Sequence, residues 1–173
     1  MLGLLIVGSA TKAQDPNPMS ADAEYVYSLA KERILKTAAK VPEATYRFRP
    51  TPEVRSLGEI LGHVADSTYH VCSIVKGDEK TSEIEKTKTS KAELTTALTR
   101  AFAYCDAVYR AMTDADSATK IAYHGGLHTK MMALSFNSTH LMEHYGNLVT
   151  YMRLNHIVPP TSEPGSESAA PNQ

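Results

Sequence analysis

Apolar residues recur at steps of three and four along most of the chain, and polar stretches interrupt them at three places. Ser20 opens the first pattern, in which Ala23, Val26, Tyr27, Ala30, Ile34, Ala38 and Val41 form one helical stripe ahead of Pro42. "RFRPTPEVR" then reads as an extended connection, because each proline disfavours helix in the residue before it. Ser56 and Glu59 have the spacing of a capping box, and Leu57, Ile60, Leu61, Val64, Thr68, Val71 and Val75 follow as a second stripe that ends at Lys76 and Gly77. Ser90 and Glu93 repeat the capping-box spacing ahead of Leu94, Ala97, Leu98, Ala101, Cys105, Val108 and Met112. The last pattern runs from about Thr129 to Leu154, and Asn155 and His156 end it before Pro159 and Pro160.

The segments between these patterns read as loops. "GDEKTSEIEKTKTS" has too little apolar content to bury anything, and "TDADSATKIAYHGGLH" contains a glycine pair. No segment alternates as a strand does. Four amphipathic helices of about 20 to 26 residues predict an all-α chain, an antiparallel or crossover four-helix bundle. The bundle is expected over residues 19–160. The small, polar, proline-containing residues 161–173 are expected to form a disordered tail.

Residues 1–18 read differently. Leu2 to Val7 is an apolar run too short to span a bilayer, followed by small residues and a possible cleavage point after Ala13. This resembles a secretory signal, although no Lys or Arg precedes the apolar run; the other reading is an N-terminal tail. Export to the periplasm or outside the cell is the expectation, with a cytoplasmic location if the segment is not a signal. Export bears on Cys72 and Cys105, which lie on different predicted helices. An oxidising compartment permits a bridge between them, and the alternative is two buried thiols.

Composition narrows the function. With 173 residues, one domain with one sizeable core is expected. The formal charge of −1 and the lack of any lysine or arginine run argue against a nucleic-acid groove. No glycine-rich phosphate loop, nucleophile elbow or H-E-x-x-H motif is present. Stable membrane insertion is not expected, and a homodimer is compatible with the helical stripes.

The candidate chemistry lies in the histidines. His140 and His144 are one helical turn apart and leave the same face of the last helix. Such a pair either converges on one ion or borders the core as two hydrogen-bonded polar residues, and spacing alone leaves both readings open. His63 sits beside the second stripe and offers a third imidazole, with His70 its main competitor on that helix. His124 and His128 flank the glycine pair, which breaks any common helical face, and His156 falls at a helix end.

"LGEILGHVADSTYH" followed much later by "STHLMEHYGNLVTYMRLNHIVPP" resembles the DinB family, over roughly residues 20 to 160. These are four-helix-bundle proteins grouped with YfiT-like metal-dependent hydrolases and unrelated to the DNA polymerase of similar name. The resemblance implies one metal-binding histidine on the second helix and an H-x-x-x-H pair on the last. Those positions fall on His63, His140 and His144. It implies a divalent transition metal as cofactor, with zinc, nickel, iron and manganese all compatible with imidazoles plus open positions. It further implies either hydrolysis by an activated water or, as in the thiol-transferase members, attack by an activated thiol on a small-molecule substrate. A third reading is a non-catalytic metal or small-ligand binding protein, stress-related. Asp66, three residues after His63, is a candidate for orienting an imidazole or for acid/base work, and Glu143 inside the pair reads rather as a surface carboxylate.

Overall fold

The computed structural model describes residues 15–78 and 80–165. The apolar run at 2–7, the possible cleavage point after Ala13 and the tail residues 166–173 lie outside them. Four long helices dominate: α1 (Pro18–Lys40), α2 (Leu57–Lys76), α4 (Lys91–Ala111) and α6 (Lys130–Leu154). Both capping boxes form, at Ser56 with Glu59 and at Ser90 with Glu93. Each satisfies first-turn amides that would otherwise lack acceptors. Gly77 closes α2 in the left-handed region at φ 84°, where a residue with a Cβ would be strained. Helix α1 begins earlier than Ser20, at Pro18. Its cap is supplied from outside, because Asp114 accepts from the Ser20 amide at 2.8 Å and from that of Met19 at 3.3 Å.

Helix α1 packs on α4 and α6, and α2 packs on the same two. The first two long helices therefore sit on one diagonal of the bundle. The connection between them is tied in by buried Tyr46, whose hydroxyl donates to the Ala38 carbonyl at 2.7 Å. The core holds Tyr27, Ile34, Leu57, Leu61, Leu98, Phe102, Leu134, Leu141 and Leu148, with the rings of Tyr27 and Tyr109 stacked at 4.1 Å. Its polar atoms are largely paired: Tyr109 donates to the Leu134 carbonyl at 2.7 Å and accepts from Asn137 at 3.3 Å. A disulfide between Cys72 and Cys105, with Cα atoms 5.4 Å apart, ties α2 to α4 inside this core.

Two expected loops carry structure. Residues after Gly77 include a single-turn helix, α3 (Ile84–Thr87), which docks on α2. After a second short helix, α5 (Asp114–Ser117), residues Lys120–Tyr123 (β1) pair antiparallel with Gly126–Thr129 (β2). The two-residue turn His124–Gly125 has φ of 47° and 76°, the left-handed pair that matches the twist of a hairpin. Four-residue strands are too short to declare themselves by alternation, and a histidine in the left-handed region weakens the turn signal. Residues 161–165, assigned to the tail by composition, are held to the bundle: Thr161 Oγ1 lies 2.9 Å from the Tyr145 hydroxyl, and Glu163 pairs with Lys40. Among the described residues no helix is long and apolar enough to cross a membrane.

Candidate metal centre

The contact between α2 and α6 brings the three histidines together. His63 enters from α2, next to buried Leu61 and Val64, and His140 and His144 enter from one face of α6. The Nε2 atom of His140 lies 3.2 Å from that of His63 and 2.9 Å from that of His144. One nitrogen of each of the three rings lies within 4.8 Å of the others. His144 is buried, the other two partly so, and His144 Nδ1 has no hydrogen-bond partner. Burial favours the uncharged imidazole, and the neighbouring histidines and Arg55 add to it. His144 is thereby lowered to about 3, and His63 and His140 are also held below the ordinary value. The site is thus a cluster of neutral nitrogen donors at neutral pH.

Around the cluster stand groups that spacing did not single out. Glu85, on α3, places Oε2 3.3 Å from His63 Nδ1 and accepts from Arg55 Nε at 2.8 Å through Oε1. Tyr151 of α6 donates to the Arg55 carbonyl at 2.9 Å, which fixes the approach of that segment. An open cleft of about 630 Å³ runs beside the cluster, lined among others by Arg55, Glu85, Glu143, His144, Asn147 and Tyr151. On the other side the His140 ring lies nearly parallel to Phe136, 6.0 Å away.

Asp66 makes no hydrogen bond to an imidazole. Its carboxylate accepts from the Ser82 hydroxyl and from the amides of Ile84 and Glu85, both at 2.9 Å. Its link to His63 is therefore indirect, through the segment that carries Glu85. His70 is not part of the cluster; it lines a separate cleft of about 590 Å³ with Tyr123, His124 and Leu127. His128 sits in β2 opposite Ile121, and His156 closes α6 with φ 58°. Glu85 was hidden in the sequence because a lone carboxylate in a polar loop has no periodicity to mark it. The only available signal was the paired glycine and aspartate around His63.

The model of the DinB superfamily matches residues 27–148. The chain belongs to the DinB superfamily. Among solved structures, a DinB-like protein from Bacillus cereus ATCC 10987 shares 16% identity and superposes with a TM-score of 0.71, covering 81% of this chain and 95% of that one. A conserved protein from Enterococcus faecalis is 16% identical with a TM-score of 0.62, over 78% of this chain and 95% of that one. A mycothiol-dependent maleylpyruvate isomerase is 17% identical with a TM-score of 0.63, over 75% of this chain and 60% of that one. These likenesses establish the DinB-like fold. No curated protein matches the sequence.

Proposed function

We propose that this DinB-like chain binds one divalent transition metal through His63, His140 and His144 and uses it as a metal-dependent hydrolase. The observation that carries the reading is the convergence of three neutral Nε2 atoms with contacts of 2.9 and 3.2 Å. Each neutral imidazole has one lone pair and one N–H, so hydrogen bonds satisfy only part of such a meeting of three nitrogens, whereas one cation satisfies all of it. Two nitrogens each about 2.0–2.1 Å from one ion lie roughly 3.0–3.4 Å apart, close to the two separations that involve His140. Three nitrogen donors and no cysteine at the cluster suit zinc, nickel, iron or manganese, and leave open positions.

When bound, such an ion supplies acidification of a water or thiol at neutral pH. The chain's own part is to hold and orient. Glu85 orients His63, the buried packing around His144 excludes solvent from one side, and Arg55 brings positive charge to the cleft where anionic character would develop. Glu143, which lines that cleft with His144 and Glu85, is the carboxylate assigned to take up a proton released there. Asp66 acts on the placement of Glu85.

A thiol-dependent transfer is the second reading. The observation that favours it is the shared fold with the mycothiol-dependent isomerase. The Cys72–Cys105 bridge supports an oxidising compartment, where small thiols are scarcer, and so weighs toward hydrolysis or plain binding. Exposed Met19, Val26 and Met142, which line an apolar groove between α1 and α6, support a homodimer.

The test is elemental analysis of untagged protein alongside His63→Ala and His144→Ala. Near one equivalent of a transition metal in the wild type, lost in both variants, is expected. A wild type that stays metal-free and resists loading would refute the reading. Turnover of ester and amide substrates, compared with thiol conjugation, then separates hydrolase from transferase; the absence of both leaves a binding protein.

A further inference from the structure

The segment between α2 and α4 offers little apolar surface beyond Ile84, which packs against the core, yet its backbone lies tightly against α2. Two residues of α2 account for this. A Cβ at Gly62 would stand 2.7 Å from Glu85 Cα and 3.0 Å from Glu85 N, so only glycine lets the backbone of α3 approach so closely. One turn on, the Asp66 carboxylate accepts from the Ser82 hydroxyl and from the Ile84 and Glu85 amides. Those amides open a helix and lack acceptors of their own, so the aspartate is their cap.

The consequence falls on His63, which lies between Gly62 and Asp66 in the same turn of α2. With its backbone pinned, Glu85 divides its carboxylate, giving Oε1 to Arg55 and Oε2 to His63 Nδ1. A carboxylate only accepts, so the ring nitrogen that faces it carries the proton. The other nitrogen, Nε2, is then left with its lone pair, and it is the atom that faces His140.

We infer that Glu85 is a positioning residue for His63, selecting the tautomer whose Nε2 is free to act as a ligand, and that Gly62 and Asp66 are what deliver Glu85. Its use for metal binding rests on the reading proposed above; the tautomer assignment stands on the metal-free protein. "LGHVAD" is on this account one unit: a ligand together with the two residues that seat its partner.

The test uses chelator-treated, ¹⁵N-labelled full-length protein at pH 8. Long-range ¹H–¹⁵N spectra of the imidazoles report the tautomer, and zinc Kd is measured by competition with a chromophoric chelator. In the wild type His63 is expected as the Nδ1–H form. Glu85→Gln keeps an acceptor in place and is expected to retain that form, with zinc Kd changed only a few-fold. Glu85→Ala removes the acceptor and is expected to give a tautomer mixture and a zinc Kd weaker by roughly 10- to 100-fold. Gly62→Ala is expected to reproduce Glu85→Ala, although every ligand and Glu85 itself remain. An unchanged His63 tautomer and unchanged zinc Kd in Glu85→Ala would overturn the assignment and leave the metal reading standing. A wild type without zinc affinity would sink the metal reading, and the tautomer comparison would still decide the role of Glu85. The Glu85 side chain is partly exposed, so its alanine variant is expected to fold, and a thermal melt checks this.

Discussion

Acidifying the metal-free protein should weaken it through His144, and the size of the effect follows from the site. His144 is buried, and burial together with His140, His63 and Arg55 lowers its folded-state value to about 3. In the unfolded chain the ordinary value is about 6.5. The folded value lies below the unfolded one, so the unfolded state takes up the proton first. Stability is complete above about pH 6.5 and is lost as pH falls toward about 3. At about pH 5 the unfolded histidine is nearly fully protonated and the folded one is not. A loss of about 1.4 kcal/mol per pH unit over some 1.5 units comes to about 2 kcal/mol. His63 and His140, also lowered mainly by burial, act in the same direction. The assay is urea unfolding in the presence of a chelator at about pH 7.5 and about pH 5, for wild type and for His144→Gln, which does not titrate. Wild type should lose about 2 kcal/mol more than the variant. Carboxylates stay ionised in most of this window, so they contribute little to the difference. An equal loss in both proteins, or wild type gaining stability on acidification, would show that His144 is not held neutral by its surroundings.

Two further outcomes concern the frame that holds the site. Replacing both Cys72 and Cys105 by alanine opens a link across a sequence separation of 33 and should cost about 3–4 kcal/mol by the loop-entropy relation, read as a lower urea midpoint; a midpoint unchanged from that of the oxidised wild type would mean the bridge adds nothing. Leu98→Ala empties a fully buried position of α4 and should cost about 2–5 kcal/mol, with the secondary structure kept in far-UV circular dichroism; a loss below about 1 kcal/mol would mean the core closes around the gap.

The long helices were legible largely because α2, α4 and α6 write their own N-terminal boundaries, whereas α1 is capped from outside by Asp114. Ser56 with Glu59 and Ser90 with Glu93 are local contacts over three residues, and the stripes of α2 and α4 repeat at the helical period over several turns. The four-helix pattern follows from such repeated local signals. The hairpin did not show, since four residues per strand hold too few alternations and its turn uses a histidine at positive φ. Val26 shows the opposite failure: periodicity puts it on the stripe of α1, yet it is largely exposed, because which side of a stripe is covered depends on the neighbouring helices.

The same division runs through the site. The one-turn spacing of His140 and His144 is a property of a helix and belongs to the sequence by itself. Their meeting with His63, 77 residues from His140, depends on how α2 and α6 pack, and only the tertiary structure decides it. Asp66 illustrates the limit most directly. Its spacing places it one turn from His63, but its two oxygens are engaged by a segment 16 to 19 residues further on, and that segment supplies Glu85 instead. Sequence determines which faces a helix carries, because 3.6 residues per turn is a local rule. Which side chains fill the space between two faces is set by long-range packing, where a missing Cβ at Gly62 and a carboxylate at Asp66 choose the neighbour.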